Sequence, residues 1–145
     1  MYSYCNILDL NLNEIKDDYI ELLTNLTDAP NISLQKFTEN IHDISAIGKI
    51  IVCCYNKKLI GSGTIIYEPK IIHGGQNVGH IEDIVVNREY RNNGIASEII
   101  QLLVDDSKDN NCYKVILDCH YSNIPFYEKN GLSHKGAQMA IYHNN

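Results

Sequence analysis

The sequence predicts an α/β (α+β) domain in which a mixed, mostly antiparallel sheet is flanked by helices, in the order β-α-α-β-β-β-α-β-α-β. Three observations carry this. Apolar residues recur at three- and four-residue spacing in two early segments and again from Gly94; three strand-like runs lie between these helical stretches; and another follows the last of them. With 145 residues, 44% of them hydrophobic, the chain can build a core without metal or disulfides, and it predicts one domain over residues 1–145.

The opening, Tyr2 to Leu10, is short and apolar enough for a strand. Asn13 then reads as a helix cap, followed by Ile15, Tyr19, Leu22, Leu23 and Leu26 on one face and Asp17, Asp18 and Glu21 on the other. Asp28-Ala29-Pro30-Asn31 breaks this helix, and Ser33 caps a second, whose stripe of Leu34, Phe37, Ile41 and Ile44 ends before Gly48. Lys49 to Tyr55 and Leu59 to Tyr67 are strand-like, and the three residues between them suit a hairpin. Gly74-Gly75-Gln76-Asn77 turns the chain into Val78 to Val86, the most strand-like run of all. From Gly94 the period changes to helical, through Ile95, Ile99, Leu102 and Leu103, to about Lys108. A buried strand from Lys114 to Cys119, a short helix around Asn123 to Lys129, and a last strand from Ala137 to Tyr142 complete the order.

Charge and cysteine usage exclude several function classes. Eighteen Asp and Glu face twelve Lys and Arg, a formal net charge of -6, which argues against nucleic acid or an anionic membrane surface as partner. The five cysteines form no C-x-x-C pair, so neither a disulfide framework nor a metal site is expected and they read as small buried hydrophobes. No apolar run approaches the roughly 20 residues that span a bilayer, and Met1 to Leu12 lacks a basic n-region and cleavage site, so the expected location is cytoplasmic.

Chemistry concentrates at Tyr90-Arg91-Asn92-Asn93-Gly94-Ile95-Ala96, between a strand and a helix. A glycine-containing turn there aims unpaired backbone N–H groups outward and the helix dipole adds partial positive charge, which makes an anion site. On its own R-x-x-G-x-A is also compatible with a helix that simply begins after an Asn-rich loop. No Gly-Lys-Ser/Thr follows, so it is not a P-loop.

Set between a strand and a helix, R-x-x-G-x-A resembles the pyrophosphate-binding turn of GNAT acetyltransferases, and the element order agrees. More narrowly, Gly79-His80-Ile81-Glu82-Asp83-Ile84-Val85-Val86, Cys112-Tyr113-Lys114-Val115-Ile116-Leu117-Asp118-Cys119, Asn123 with Phe126-Tyr127-Glu128-Lys129-Asn130-Gly131, and Lys70-Ile71-Ile72-His73 resemble the glucosamine 6-phosphate N-acetyltransferases. The close likeness runs from about Glu68 to Leu132.

The resemblance implies a GNAT-fold homodimer, with the C-terminal strand shared and the sites at the interface. It would transfer acetyl from acetyl-CoA to the amine of D-glucosamine 6-phosphate in a ternary complex, toward UDP-N-acetylglucosamine. The pantetheine arm would pair with backbone from Ile84 through Val85 and Val86 to Asn87, and the pyrophosphate would lie on the amides of Asn92, Asn93, Gly94, Ile95, Ala96 and Ser97, with Arg91 helping. Asn123 would hold the CoA chain, and Tyr127 would act as acid or hydrogen-bond donor to the departing thiolate. Asp118 would orient the amine; Glu82, Asp83 and backbone near Ile84 would bind the sugar; the general base stays open among these groups. Thr24, Lys70, His73 and the segment through Ile71 and Ile72 are the implied phosphate side, with Tyr142 where many relatives carry Arg, and His143, Lys135 or His134 as substitute cations. Without the resemblance, Tyr127 reads as a core aromatic, Lys70 and His73 as surface residues, and Glu82 and Asp83 as a solvated edge or an internal ion pair. Other readings are a GNAT enzyme for another small amine or a protein N-terminus, and a non-catalytic acyl-CoA sensor.

Overall fold

The computed structural model describes residues 1–143. Strand β1 (Tyr2–Asn6) leads through a 3-10 turn into helix α1 (Leu12–Leu23) and then α2 (Leu34–Ile47). Strands β2 (Gly48–Tyr55), β3 (Lys58–Pro69) and β4 (Asn77–Val86) follow, then α3 (Ile95–Asp109), β5 (Cys112–Ile116) and α4 (Ile124–Lys129). The sheet order is β1-β2-β3-β4-β5, antiparallel except where β5 runs parallel to β4. Helix α3 is therefore the crossover that a parallel pair requires.

Local sequence explains the boundaries. The Ser33 hydroxyl accepts from the Lys36 N–H at 3.1 Å and so caps α2. Asn11, not Asn13, caps α1: its side chain accepts the Asn13 N–H at 3.0 Å, two residues earlier than the apolar pattern suggests. That helix ends at Leu23, with Thr24 as its C-cap, so Leu26 falls outside it. Asn56 and Lys57 both take positive φ in the β2–β3 hairpin, the geometry of a tight primed turn.

Each face of the sheet carries its own core. Tyr19, Leu22, Phe37 and Ile41 of α1 and α2 pack on Ile50, Val52, Leu59 and Val85. On the opposite face Ile95, Ile99 and Leu103 of α3 pack on Ile51, Ile65, Ile81 and Val86. Gly48 marks the α2–β2 junction, where a Cβ would overlap the backbone carbonyl oxygen of Ile65 on the neighbouring strand. Backbone cannot move aside as a side chain can, so Gly48→Ala is expected to destabilise the fold by about 3 kcal/mol or more, read as a lower urea midpoint. An unchanged midpoint would contradict this packing.

Three expectations need correction. The segment Ala137 to Tyr142 forms no strand: it leaves the sheet, with Met139 94% and Tyr142 86% exposed, because no neighbour on this chain pairs with it. The fifth strand ends at Ile116 instead of Cys119, and none of its residues is fully buried, as befits an edge strand that pairs for only four residues. Of the cysteines only Cys53 is buried, and Cys119 is exposed. No helix among the described residues is long and apolar enough to cross a membrane.

Candidate active site

The sheet opens where β4 and β5 part. Their ladder runs from Asn77 opposite Cys112 to His80 opposite Ile116 and then stops, while β4 continues six residues further to Val86. Beyond His80 no strand among the described residues lies beside that edge of β4. Its backbone groups are left for an extended ligand, in the manner of strand addition.

A bulge lies within this unpaired stretch. Ser62 of β3 faces Val85 and Thr64 faces Glu82, so Gly63 alone stands opposite both Asp83 and Ile84. Asp83 takes φ +53, a conformation that Asp tolerates better than most residues. A bulge leaves its extra residue out of the ladder and turns backbone N–H groups away from it. The bulge lies on the part of β4 beyond its pairing with β5, beside the opening.

The bulge also overturns the simple expectation for the paired carboxylates. Strict alternation would send Glu82 and Asp83 to opposite faces, one of them buried, yet both are exposed. Burial raises the Glu82 pKa, and the charges of Asp83 and Asp118 raise it further against a smaller opposing effect of His80. Glu82, Asp83 and Asp118 therefore share one electrostatic site, although Asp118 lies beyond the end of β5. Asp118 is exposed, and its Oδ2 accepts from Gln138 Nε2 at 3.3 Å.

A carboxyl with a raised folded-state pKa opposes folding once pH exceeds that value, and the penalty vanishes below the unfolded-state pKa. Glu82→Gln is therefore expected to raise the melting temperature slightly at pH 7, with no gain below about pH 4. A gain confined to acid pH would reverse the assigned environment.

The candidate anion site is the first turn of α3. Gly94 is the N-cap at φ +77 and Asn92 sits at φ +66, so the chain turns sharply twice and no side chain caps the helix. Asn93 Nδ2 donates to the Tyr90 and Arg91 carbonyls at 2.9 and 3.2 Å, which fixes the loop. Arg91 Nε donates to the Val86 carbonyl at 3.3 Å, holding the guanidinium at the end of β4. The first amides of the helix, at Ile95, Ala96 and Ser97, remain open to an anion.

After β5, Asn123 is the exposed N-cap of α4 and Tyr127 lies half-buried on that helix, its ring against Phe126 at 5.1 Å. Burial, then the neighbouring Cys119, pushes the Tyr127 pKa up, so its hydroxyl stays protonated at neutral pH.

The implied phosphate side is not assembled on one chain. The Lys70 N–H donates to the Gln76 carbonyl at the entry to β4, on the order of 15–20 Å along the strand from Glu82. Its ammonium pairs with Glu68 Oε2 at 3.3 Å, while Glu68 Oε1 meets His80 Nε2 at 2.9 Å. Sequence reading missed that Glu68 link; opposed charges two residues apart on a strand were the available signal. His73 stacks on Tyr113 at 3.9 Å, Ile71 is 98% exposed, and Ile72 is also exposed. Thr24 caps α1 beside Asn25, whose Oδ1 accepts the Arg88 N–H at 3.3 Å, and lines a cavity of about 260 Å³ with Asn87 and Glu89.

A larger cavity, about 440 Å³, lies at the opposite end of the sheet, away from the opening. Its charges satisfy one another, Lys49 Nζ meeting Asp106 Oδ1 at 2.5 Å and the Tyr67 hydroxyl donating to Asp106. Among the described residues no group of three or more His, Cys, Asp or Glu is placed to hold a metal ion.

Residues 12–132 match the Acetyltransferase (GNAT) family. The chain is 33% identical over 141 residues to the glucosamine 6-phosphate N-acetyltransferase of Arabidopsis thaliana, covering 94% of this chain and 95% of that one. To the enzyme of that name from Trypanosoma brucei brucei it is 37% identical over 144 residues, covering 94% and 97%. The crystal structure of the Arabidopsis thaliana enzyme superposes with a TM-score of 0.92 at 30% identity, over 99% of each chain. A strand pair that parts beside a bulge, an uncapped helix start and this degree of likeness together place the chain in the GNAT acetyltransferase family, among the glucosamine 6-phosphate N-acetyltransferases.

Proposed function

We propose that this chain is an N-acetyltransferase that moves the acetyl group of acetyl-CoA onto the amine of D-glucosamine 6-phosphate, giving N-acetyl-D-glucosamine 6-phosphate and CoA. The observation that carries this is the unpaired, bulged half of β4, flanked by the open α3 N-terminus on one side and the three carboxylates on the other. Pantetheine pairs with the free edge of β4 from Ile84 to Asn87, and its pyrophosphate lies on the amides from Asn92 to Ser97 with Arg91 alongside. The small side chain of Ala96 leaves room there. Asn123 holds the arm from the α4 side.

In this reading the neutral amine attacks the thioester carbon while the bulge N–H groups take the developing negative charge on oxygen. As the C–N bond forms and the C–S bond breaks, the amine loses a proton toward Asp118 or water, and the departing thiolate takes up one proton from water, so that the protons balance and free CoA leaves as the thiol. Tyr127, whose phenol burial keeps from ionising even above neutral pH, donates a hydrogen bond to that sulfur. Glu82 and Asp83 hold the sugar hydroxyls.

The exposed apolar flank around Ile71 and Ile72 supports a homodimer in which Lys70 and His73 of a second copy reach the sugar phosphate. The exposed Ile71, Ile72, Ile116, Met139, Ile141 and Tyr142 would be covered there, with the segment from Ala137 to Tyr142 pairing across the interface. Light scattering is then expected to return twice the chain mass. A monomer at assay concentration would contradict this arrangement. A cytoplasmic location goes with such a substrate, and fractionation of cells expressing the tagged chain checks it, membrane or secreted recovery counting against it.

The direct test is a thiol-release assay with glucosamine 6-phosphate, glucosamine and a peptide amine. Preference for the phosphorylated sugar is expected. Equal rates would remove the substrate assignment, and no thiol release with any amine would favour an acyl-CoA sensor.

A further inference from the structure

We propose that the buried hydroxyl pair of Tyr19 and Ser62 positions the bulge of β4, and with it the backbone N–H groups that grip the acetyl carbonyl. This rests on the acetyl-CoA reading above and adds two positioning residues that touch no ligand.

Buried polar side chains are few here. Among the described residues only Ser62, Thr64 and Ser107 are polar and buried, and two of these flank Gly63, the single residue opposite the bulge. Tyr19 reaches across from α1, its ring against Phe37 at 5.9 Å, and its hydroxyl lies 2.9 Å from Ser62 Oγ. Tyr19 is 6% exposed and Ser62 0%, so both hydroxyls have left water for each other. A Phe and an Ala would fill the same space without desolvating two polar groups, and removing both partners of such a bond is close to neutral. Core stability alone therefore gives the pair little reason to be there.

Its location supplies one. Ser62 is the cross-strand partner of Val85, immediately after the bulge, and Asp83 lies near enough for its charge to act on the Tyr19 phenol. From the other face the bulge is held by close packing: a Cβ on Gly63 would come within 2.5 Å of Ile84 Cδ1 and 2.6 Å of Ile99 Cγ2. Asp83, at positive φ, keeps an unfavoured conformation only if its surroundings over-determine it. Gly63 does so by shape on the α3 face and the directional Tyr19–Ser62 bond does so on the α1 face. Phe packing would let the bulge relax by tenths of an ångström, a shift that aimed N–H groups do not tolerate.

The test compares acetyl-CoA with CoA by calorimetry, since only the former has the thioester carbonyl that the bulge would hold. Tyr19→Phe/Ser62→Ala is expected to bind CoA within about twofold of the unsubstituted chain and acetyl-CoA about fivefold more weakly. Should the double variant lose the fold, Tyr19→Phe alone, which keeps the ring, gives the same ratio. A purely structural pair would shift both affinities together or neither. An unchanged ratio, or no preference for acetyl-CoA in the unsubstituted chain, overturns the proposal. Failure of the unsubstituted chain to acetylate glucosamine 6-phosphate would instead remove the sugar assignment and leave this ratio to decide the positioning role.

Discussion

Asp118→Asn is expected to lower kcat by about a hundredfold or more with glucosamine 6-phosphate, while the melting temperature stays within about a degree or two. The side chain is exposed and makes one long hydrogen bond, from Gln138, so its removal disturbs little packing. Its charge, however, acts on Glu82, which places it in the carboxylate group at the opening. Asn keeps the shape and an acceptor oxygen but neither attracts an ammonium nor accepts its proton, so the loss falls on the amine's preparation for attack. Steady-state rates beside a thermal melt check this. A variant with full activity would remove Asp118 from the mechanism, and a matching loss of stability would make its role structural.

Tyr127→Phe is expected to lower kcat by roughly ten- to a hundredfold with acetyl-CoA affinity almost unchanged, because the ring and its contact with Phe126 remain and only the hydroxyl goes. The raised pKa is in keeping with the proposed role: the phenol keeps its proton and so remains a hydrogen-bond donor when a thiolate forms beside it. Unchanged turnover would discard the contact with sulfur. A large loss of acetyl-CoA affinity would place the hydroxyl on the CoA chain instead.

Much of the fold was legible because its signals are local. Ser33, Gly48 and Gly94 mark helix ends, and the change from period two to period 3.6 after Val86 separates β4 from α3. The uncapped start of α3 was legible for the same reason: a glycine turn before a helix needs no distant partner. The bulge was not. It depends on Gly63 lying across from two residues of another strand, and register of that kind is set between strands instead of within one. Its effect on Glu82 and Asp83, both turned outward, is what alternation alone misjudged. The Ala137 to Tyr142 segment shows the complementary failure: its residues suit a strand, but nothing on the same chain pairs with it. Lys70 and His73, named from the resemblance, sit in the β3–β4 connection before β4 begins, so one chain does not set them beside the carboxylates.

The account's central claim is amide formation on the sugar amine, and the most direct measurement is carbon-13 NMR of a reaction between acetyl-CoA labelled at the acetyl carbonyl and glucosamine 6-phosphate. The predicted result is a single amide carbonyl on the sugar nitrogen, growing in step with one free CoA thiol for each amide. Label appearing as acetate or as an ester on a sugar oxygen, with the amine still free, would contradict the account.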